Sequence, residues 1–289
     1  MRVMLALALL LAPVAVSAQS SPAAVTRDMP RDTAQPAGLA QVRYPSGGVD
    51  IPARFFLAAG AGQHGTVLLL HGFPGTELNL DLARAMQRAG WNVLAIHYRG
   101  VWGAPGKFSF AHTIEDSRAA LGWLRSPEIA TKYRVDTAKI VVLGHSMGGF
   151  DTVMLGDDPK VAGFAVISAA DIGGWAGFLD TPAKRLQAEP AFADEISYTN
   201  TSYREMADEI LAHSKAWDWT TRAAKMAGRP ALIISSDDGN APSDMAAGDA
   251  IEAAGGPVPT RVKFATDHSY NDHRIALASA IVAWLGKSF

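Results

Sequence analysis

The sequence of 289 residues contains no cysteine, which excludes several classes of protein at once. Without thiols the chain cannot form disulfides, bind zinc or iron–sulfur clusters through thiolates, or use a cysteine nucleophile. It also lacks an excess of charge of either sign, because 26 lysines and arginines stand against 28 acidic residues. A net charge of −2 offers no electrostatic basis for binding nucleic acid. Any chemistry must therefore use oxygen and nitrogen groups.

Charge is scarcest at the N-terminus, where Arg2 is the only charged residue among the first 26. The apolar stretch 3–16 is followed by Ser17 and Ala18, small residues of the kind that signal peptidases read. This stretch is too short to cross a bilayer as a helix. We therefore expect a signal peptide over residues 1–18, no stable membrane insertion after its cleavage, and a periplasmic or secreted protein. Residues 19–40, with three prolines and no apolar periodicity, are expected to form a flexible leader.

From residue 41 to residue 289, short apolar runs alternate with helical patterns. The runs are rich in valine, isoleucine or leucine, as in strands that are covered on both faces. The predicted strands are Thr66–Leu70, Trp91–His97, Ile140–Leu143, Phe164–Ser168, Ala231–Ser235 and Arg261–Phe264. This alternation predicts an α/β domain, with a mostly parallel central sheet and helices on both faces. Residues 171–228 have no clear strand pattern, and we expect them to form a small helical cap.

The strongest motif is G-x-S-x-G over Gly144–Gly148, directly after a predicted strand and before a helical segment. A serine on such a sharp strand-to-helix turn exposes its hydroxyl above the sheet, and glycines let the strained backbone pass its neighbours. The following helix directs its free N–H groups towards a developing oxyanion. Ser146 is therefore the predicted nucleophile.

A serine nucleophile needs a second oxyanion donor, and the segment His71–Gly75 follows the strand Thr66–Leu70 in the required place. The backbone N–H groups of Phe73 and Met147 are predicted to form the oxyanion hole.

The nucleophile also needs a base and a carboxylate that orients it. Two histidines lie near the end of the chain: His268 on a loop after the last predicted strand, and His273 at the start of the final helix. The loop position favours His268 as the base. For the acid, Asp237 and Asp238 follow the strand Ala231–Ser235, and Asp171 after the preceding strand is a third candidate.

No motif calls for a metal ion or a cofactor. The sequence has no H-E-x-x-H, Walker lysine motif or EF-hand loop. The glycine pattern over residues 60–65 precedes a strand, whereas a dinucleotide site would require it to open a helix. We therefore expect neither metal nor cofactor.

Taken together, these motifs make residues 44–285 resemble the α/β-hydrolase superfamily. The order nucleophile, acid, histidine is the order of that fold. The segments that carry the resemblance are His71–Gly75, Tyr98–Gly100, Gly144–Gly148, Ser235–Pro242 and His268–Trp284. The acid turn of the family, small-x-x-Asp-x-x-x-Pro, selects Asp238. The Tyr-Arg-Gly turn resembles the prolyl oligopeptidase-like and dienelactone hydrolase-like branches.

The resemblance implies a serine hydrolase, in which Ser146, His268 and Asp238 form a catalytic triad that cleaves carboxylic esters through an acyl-enzyme. An aminopeptidase-like or acyl-peptide hydrolase is the alternative within enzymes, and a non-catalytic binding protein on the same scaffold is a further one. The implied substrate is a small ester or a short peptide.

In α/β-hydrolases the connection over residues 171–228 lies above the nucleophile as a lid. It carries several aromatic side chains here, among them Trp217 and Trp219. These two residues are predicted to line an apolar substrate pocket, with packing of the cap against the core as the alternative.

Overall fold

The computed structural model describes residues 21–289, and the predicted signal peptide at 1–18 lies outside them. The domain is built on one eight-stranded sheet in the order β1-β2-β4-β3-β5-β6-β7-β8. The strands are β1 Gly38–Ser46, β2 Val49–Leu57, β3 His64–Leu70, β4 Asn92–Ile96, β5 Val135–His145, β6 Gly163–Ile167, β7 Ala231–Ser235 and β8 Thr260–Lys263.

Strands β3 to β8 run parallel to one another, as the sequence predicts. Each of the six predicted strands is present: Ala231–Ser235 agrees at both ends, and the others differ in at least one end. The central strands β4, β6 and β7 are buried along their whole length, because helices cover both faces of the sheet. The predicted α/β architecture is therefore confirmed.

The hairpin β1–β2 was not among the predicted strands. Its strands are antiparallel, and Ser46 pairs with Val49 across the two-residue turn of Gly47 and Gly48. Both glycines have positive φ, +54° and +79°, which is typical of such turns. β2 then pairs with β4 in the antiparallel sense and extends the sheet at its edge.

The helices are α1 Ala23–Thr26, α2 Leu80–Arg88, α3 Phe110–Arg125, α4 Pro127–Tyr133, α5 Met147–Met154, α6 Pro182–Ala188, α7 Ala193–Ile196, α8 Tyr203–His213, α9 Trp219–Ala223, α10 Ala241–Ala253 and α11 Arg274–Ser288. Buried apolar side chains of the helices and the sheet form two hydrophobic clusters, one on each face of the sheet. No helix within residues 21–289 is long and apolar enough to span a membrane.

The predicted flexible leader at 19–40 differs from the structure over its described part. Helix α1 contacts α2 and α11, and its residue Ala24 is buried. The carbonyl of Ala24 accepts a hydrogen bond of 2.6 Å from Nε of Arg88. β1 also begins at Gly38, before the domain boundary predicted at residue 41. The sequence does contain a sign of β1, the alternation of polar and apolar residues, but this pattern indicates a strand less clearly than a continuous apolar run does.

Helices α6 to α9 form the cap between β6 and β7, as predicted. Side chains of the cap hold it to the start of α3 and to the loop before it. Asn200 accepts a hydrogen bond of 2.9 Å from the N–H of Phe108. Glu209 accepts hydrogen bonds from the N–H groups of Phe110 and Ala111, at 2.9 and 3.0 Å. The N–H groups of Phe110 and Ala111 lie in the first turn of α3 and have no acceptor within the helix. The Glu209 carboxylate of the cap therefore supplies the acceptor that they need.

Candidate active site

Ser146 occupies the turn between β5 and α5, with φ +57° and ψ −117°. This conformation is strained for a residue with a side chain, and such strain is typical of functional sites. The flanking glycines explain how the turn is accommodated. A Cβ atom at Gly144 would collide with the backbone of Gly148, and one at Gly148 would collide with the carbonyl of Leu70. The G-x-S-x-G pattern therefore reflects the close approach of α5 to β3 and β5.

The loop after β3 runs directly beside Ser146. A Cβ atom at Gly72 would lie 2.9 Å from Cβ and 3.4 Å from Oγ of Ser146, so glycine permits this approach. The next residue is Phe73, and Met147 is the first residue of α5. Within the described residues, neither Phe73 nor Met147 donates its backbone N–H to another protein group. The structure thus brings both predicted oxyanion donors to the neighbourhood of Ser146 with their hydrogens free.

His268 lies on the loop after β8 and Asp238 on the loop after β7. Nδ1 of His268 is 2.6 Å from Oδ2 of Asp238, a short distance for a hydrogen bond with a charged partner. The side chain of Asp238 is only 3% exposed, and that of His268 is 40% exposed. The buried carboxylate therefore binds the imidazole at Nδ1 and leaves part of the ring accessible to solvent.

The environment of Asp238 keeps it ionised. Burial by itself would raise the pKa of Asp238, but hydrogen bonds from His268 and from the N–H of Asn240 outweigh it and lower this pKa well below the usual range. The N–H of Asn240 donates to Oδ1 at 2.9 Å. Asn240 also donates through Nδ2 to the carbonyl of Ser168, 3.1 Å away, and so ties the acid turn to the end of β6.

The other candidates for the acid and the base make contacts of their own, away from His268 and Asp238. Asp237 is exposed and forms an ion pair of 2.9 Å with Lys263. Asp171 accepts a hydrogen bond of 2.8 Å from the N–H of Gly174, which stabilises the entry to the cap. His273 contacts Asp272 at 2.9 Å. None of these three alternatives takes part in the contact between His268 and Asp238.

Ser146 and His268 line one cavity of about 250 Å³. Within residues 21–289, Ser146 Oγ makes no hydrogen bond to His268; catalytic contacts often tighten only when substrate is bound. The cavity is lined by Gly72, Phe73, Pro74, Thr76, Glu77, His145, Ser146, Glu195, His268 and Ser269. A serine hydroxyl and an imidazole held by a carboxylate thus line one small cavity, together with Phe73 of the loop after β3.

Three residues of this region were missed by sequence reasoning. His145, directly before Ser146, lines the cavity, and its ring also hydrogen-bonds to the carbonyl of His268. Glu77 and Glu195 line the cavity and had no signal in the sequence. Glu195 belongs to the cap, so its position depends on how the long connection from β6 to β7 folds back. Glu77 could have been noticed, because it lies two residues beyond the His71–Gly75 motif.

The structure places Trp217 and Trp219, the predicted lining of the substrate pocket, away from the cavity around Ser146. Each is only 4% exposed, and neither contributes to the cavity around Ser146. The Trp217 ring packs against Phe150 of α5, with ring centroids 5.3 Å apart. Trp219 donates a 2.7 Å hydrogen bond through Nε1 to the carbonyl of Ser243. Both side chains join the base of the cap to the core, which was the alternative interpretation.

The family match agrees with this fold and this arrangement of residues. A family model described as the alpha/beta hydrolase family matches residues 67–280. The match covers well over half of the chain and includes Ser146, Asp238 and His268. The protein belongs to the alpha/beta hydrolase family. No group of three or more His, Asp or Glu side chains in the described part of the chain is arranged to hold a metal ion.

Among individual proteins, an uncharacterized protein of Mycobacterium tuberculosis is 32% identical over 114 residues, which is 39% of either chain. The chain therefore spans about two fifths of that relative. An esterase of Pyrobaculum calidifontis has a TM-score of 0.66 at 18% identity, covering 88% of this chain and 87% of that one. An acylaminoacyl peptidase of Pyrococcus horikoshii has a TM-score of 0.65 at 12% identity, covering 88% and 42%. At these identities the structural likeness shows a shared fold.

Proposed function

We propose that the protein is a serine hydrolase that cleaves carboxylic esters through an acyl-enzyme, with Ser146, His268 and Asp238 as its catalytic triad. The observation that carries this proposal is that His268, whose ring is held by a hydrogen bond of 2.6 Å to the buried side chain of Asp238, lines the same small cavity as the strained Ser146. The likeness of the fold to esterases supports the choice of ester as substrate.

In the first half of the reaction, Oγ of Ser146 attacks the ester carbonyl while Nε2 of His268 takes the hydroxyl proton. The N–H groups of Phe73 and Met147 stabilise the oxyanion that forms. Asp238 holds the protonated imidazole through Nδ1. The carbon–oxygen bond to the alcohol then breaks, and the proton on Nε2 leaves with the alcohol.

In the second half, water attacks the acyl-enzyme and His268 takes one of its protons. Collapse of the second tetrahedral intermediate releases the carboxylic acid and returns the proton to Oγ of Ser146. No metal ion or cofactor takes part in either half.

The test is the variant Ser146→Ala with p-nitrophenyl acetate and butyrate as substrates. Loss of the nucleophile is expected to lower kcat by roughly 10⁵- to 10⁶-fold without unfolding the protein. A fluorophosphonate probe should label the wild type and Ser269→Ala, a change of another serine in the same cavity, but not Ser146→Ala. A Ser146→Ala variant that retains a tenth of the activity would overturn the assignment.

Export is a separate part of the proposal and rests on residues 1–18 of the sequence. N-terminal sequencing of the protein recovered from the organism that produces it should begin at Gln19. A mature chain that still begins at Met1 would contradict it.

A further inference from the structure

The cap places one carboxylate in the cavity of Ser146. Glu195, on α7, is the only residue of the cap that lines this cavity within the described part of the chain. The other carboxylate of the cavity, Glu77, is engaged, because its Oε1 accepts a hydrogen bond of 2.5 Å from the N–H of Asn79. No lysine or arginine is among the lining residues. The cavity is therefore lined by two carboxylates and no basic side chain, and that of Glu195 is the one that accepts no hydrogen bond within the described residues.

Glu195 lacks the kind of basic partner that some other cap carboxylates have. Asp180 pairs with Lys184 at 2.8 Å, and Asp208 pairs with Arg185 at 2.6 Å. Within the described residues the Glu195 side chain makes neither a hydrogen bond nor an ion pair. It stays open to solvent at the mouth of the cavity, yet desolvation by the surrounding protein still raises the pKa of its carboxyl group. A cation bound beside it would offset that cost.

We propose that Glu195 makes this cavity a subsite for a positively charged group of the substrate, an ammonium carried on the acyl or the alcohol part of the ester. This inference rests on the proposed ester hydrolysis. The cavity is about 250 Å³, so an ammonium inside it lies within a few ångströms of both the carboxylate and the scissile bond. The half-buried ring of Phe73 in the same wall gives such a group an aromatic contact as well.

A different role for Glu195 would be to stabilise the His268 imidazolium, whose charge acts on the Glu195 carboxyl. The two roles predict different kinetics. Stabilisation of the imidazolium acts on every substrate equally and shifts the pH dependence of kcat/KM for neutral esters. Recognition of an ammonium acts only on cationic substrates and weakens with salt, because the two charges meet near the surface.

The experiment compares matched pairs of esters that differ only in one charge. For the alcohol part, acetylcholine is compared with 3,3-dimethylbutyl acetate, in which carbon replaces the nitrogen. For the acyl part, alanine methyl ester is compared with methyl isobutyrate. The enzymes are the wild type, Glu195→Gln and Glu189→Gln, which removes the same charge from a cap residue outside the cavity.

The wild type is expected to prefer the cationic member of one pair by about tenfold in kcat/KM, the effect of one charge-assisted contact at a partly exposed site. Glu195→Gln should abolish that preference by lowering kcat/KM for the cationic ester about tenfold more than for its neutral counterpart, while Glu189→Gln behaves as the wild type. The pair that shows the preference identifies which part of the ester carries the ammonium.

Equal rates for charged and neutral esters in the wild type would overturn the inference, as would a loss in Glu195→Gln that is the same for all four substrates. Absence of any hydrolysis would instead overturn the proposed function. In that case calorimetry with choline and with 3,3-dimethylbutanol decides the inference separately. Tighter binding of choline that disappears in Glu195→Gln supports it, and equal binding of the two alcohols overturns it.

Discussion

Nε2 of His145 lies 2.8 Å from the backbone carbonyl of His268, so the residue before the candidate nucleophile holds the loop of the candidate base. Burial, with the nearby charge of His268, lowers the pKa of His145 to about 3. The ring is therefore neutral at physiological pH, and its Nε2 hydrogen donates to the carbonyl. The two imidazole rings also pack with centroids 4.7 Å apart. This contact links the end of β5, next to the turn that holds Ser146, directly to the loop after β8.

The first prediction concerns this contact. His145→Phe keeps an aromatic ring but removes the donor, which frees the carbonyl of His268 and loosens the position of its imidazole. We expect kcat for p-nitrophenyl acetate to fall by about 10- to 100-fold, with a smaller change in KM, because small displacements of a catalytic group are costly.

His145→Gln, which retains a donor, should recover part of the lost kcat. A purely structural role would instead lower the melting temperature of both variants equally and leave kcat per folded molecule unchanged.

The second prediction separates the two adjacent carboxylates after β7. Asp238→Asn should lower kcat by roughly 10⁴-fold, because the amide cannot hold the imidazole tautomer that accepts the serine proton. Asp237→Asn is the matched control, since Asp237 is exposed and paired with Lys263. Its kcat should stay within about twofold of wild type. Activity that disappears in Asp237→Asn and persists in Asp238→Asn would exchange the two assignments.

The parallel part of the sheet could be predicted from the sequence because its strands are buried on both faces. Such strands appear as continuous apolar runs, as Ala231–Ser235 shows, where the prediction and the structure agree at both ends. The hairpin β1–β2 is different. In β1, exposed and more buried positions alternate, so a search for apolar runs passes over it. The Gly47-Gly48 pair was the local signal that could have revealed the turn.

Those residues of the candidate site that follow the end of a strand could be predicted from the sequence. Ser146, Asp238 and His268 do so, and the carboxyl ends of parallel strands meet at one edge of a sheet. Glu195 and the two cap tryptophans do not. Their positions depend on how a connection of more than fifty residues folds back on the domain, and that path is set by contacts distant in sequence. An aromatic side chain in such a segment can face either substrate or core.

The third prediction follows from the buried tryptophans. Trp219→Ala removes a packed side chain and the hydrogen bond to Ser243, so we expect the free energy of unfolding to fall by about 3–5 kcal/mol. The ratio of kcat/KM for p-nitrophenyl butyrate and acetate should stay within about twofold of wild type, because the side chain does not reach the cavity.

Leu186→Ala, at a cap position that is 72% exposed, is the control and should change the free energy of unfolding by less than about 0.5 kcal/mol. A selective loss for butyrate in Trp219→Ala would return that residue to the substrate pocket.

The last prediction concerns Asp244, a buried carboxyl group in the first turn of α10. Its Oδ1 accepts a hydrogen bond of 2.9 Å from the N–H of Ala169, and its Oδ2 is buried without a partner in the described residues. Burial raises the pKa of Asp244 to about 8, and the charge of Asp238 adds to the effect. At neutral pH the folded protein therefore keeps this group protonated.

In the unfolded chain the same group ionises near pH 4, as for an ordinary aspartate. Between about pH 4 and pH 8 the unfolded state binds fewer protons at this position than the folded state does. The contribution of Asp244 to the free energy of unfolding thus falls as pH rises, by at most about 1.4 kcal/mol per pH unit. Asp244→Asn keeps an oxygen that accepts the hydrogen bond from Ala169, but its side chain cannot ionise. Residue 244 of this variant therefore does not lower the free energy of unfolding as pH rises.

Urea unfolding of the wild type and of Asp244→Asn at pH 5, 6, 7 and 8 measures the effect. The stability of the variant relative to the wild type should increase with each step, whereas Asp237→Asn, with its exposed carboxylate, should show no comparable trend. The difference between the two proteins isolates Asp244, because all other groups titrate in both. Parallel stability curves for wild type and Asp244→Asn would show that the buried carboxyl has the same proton affinity in the folded and unfolded chain.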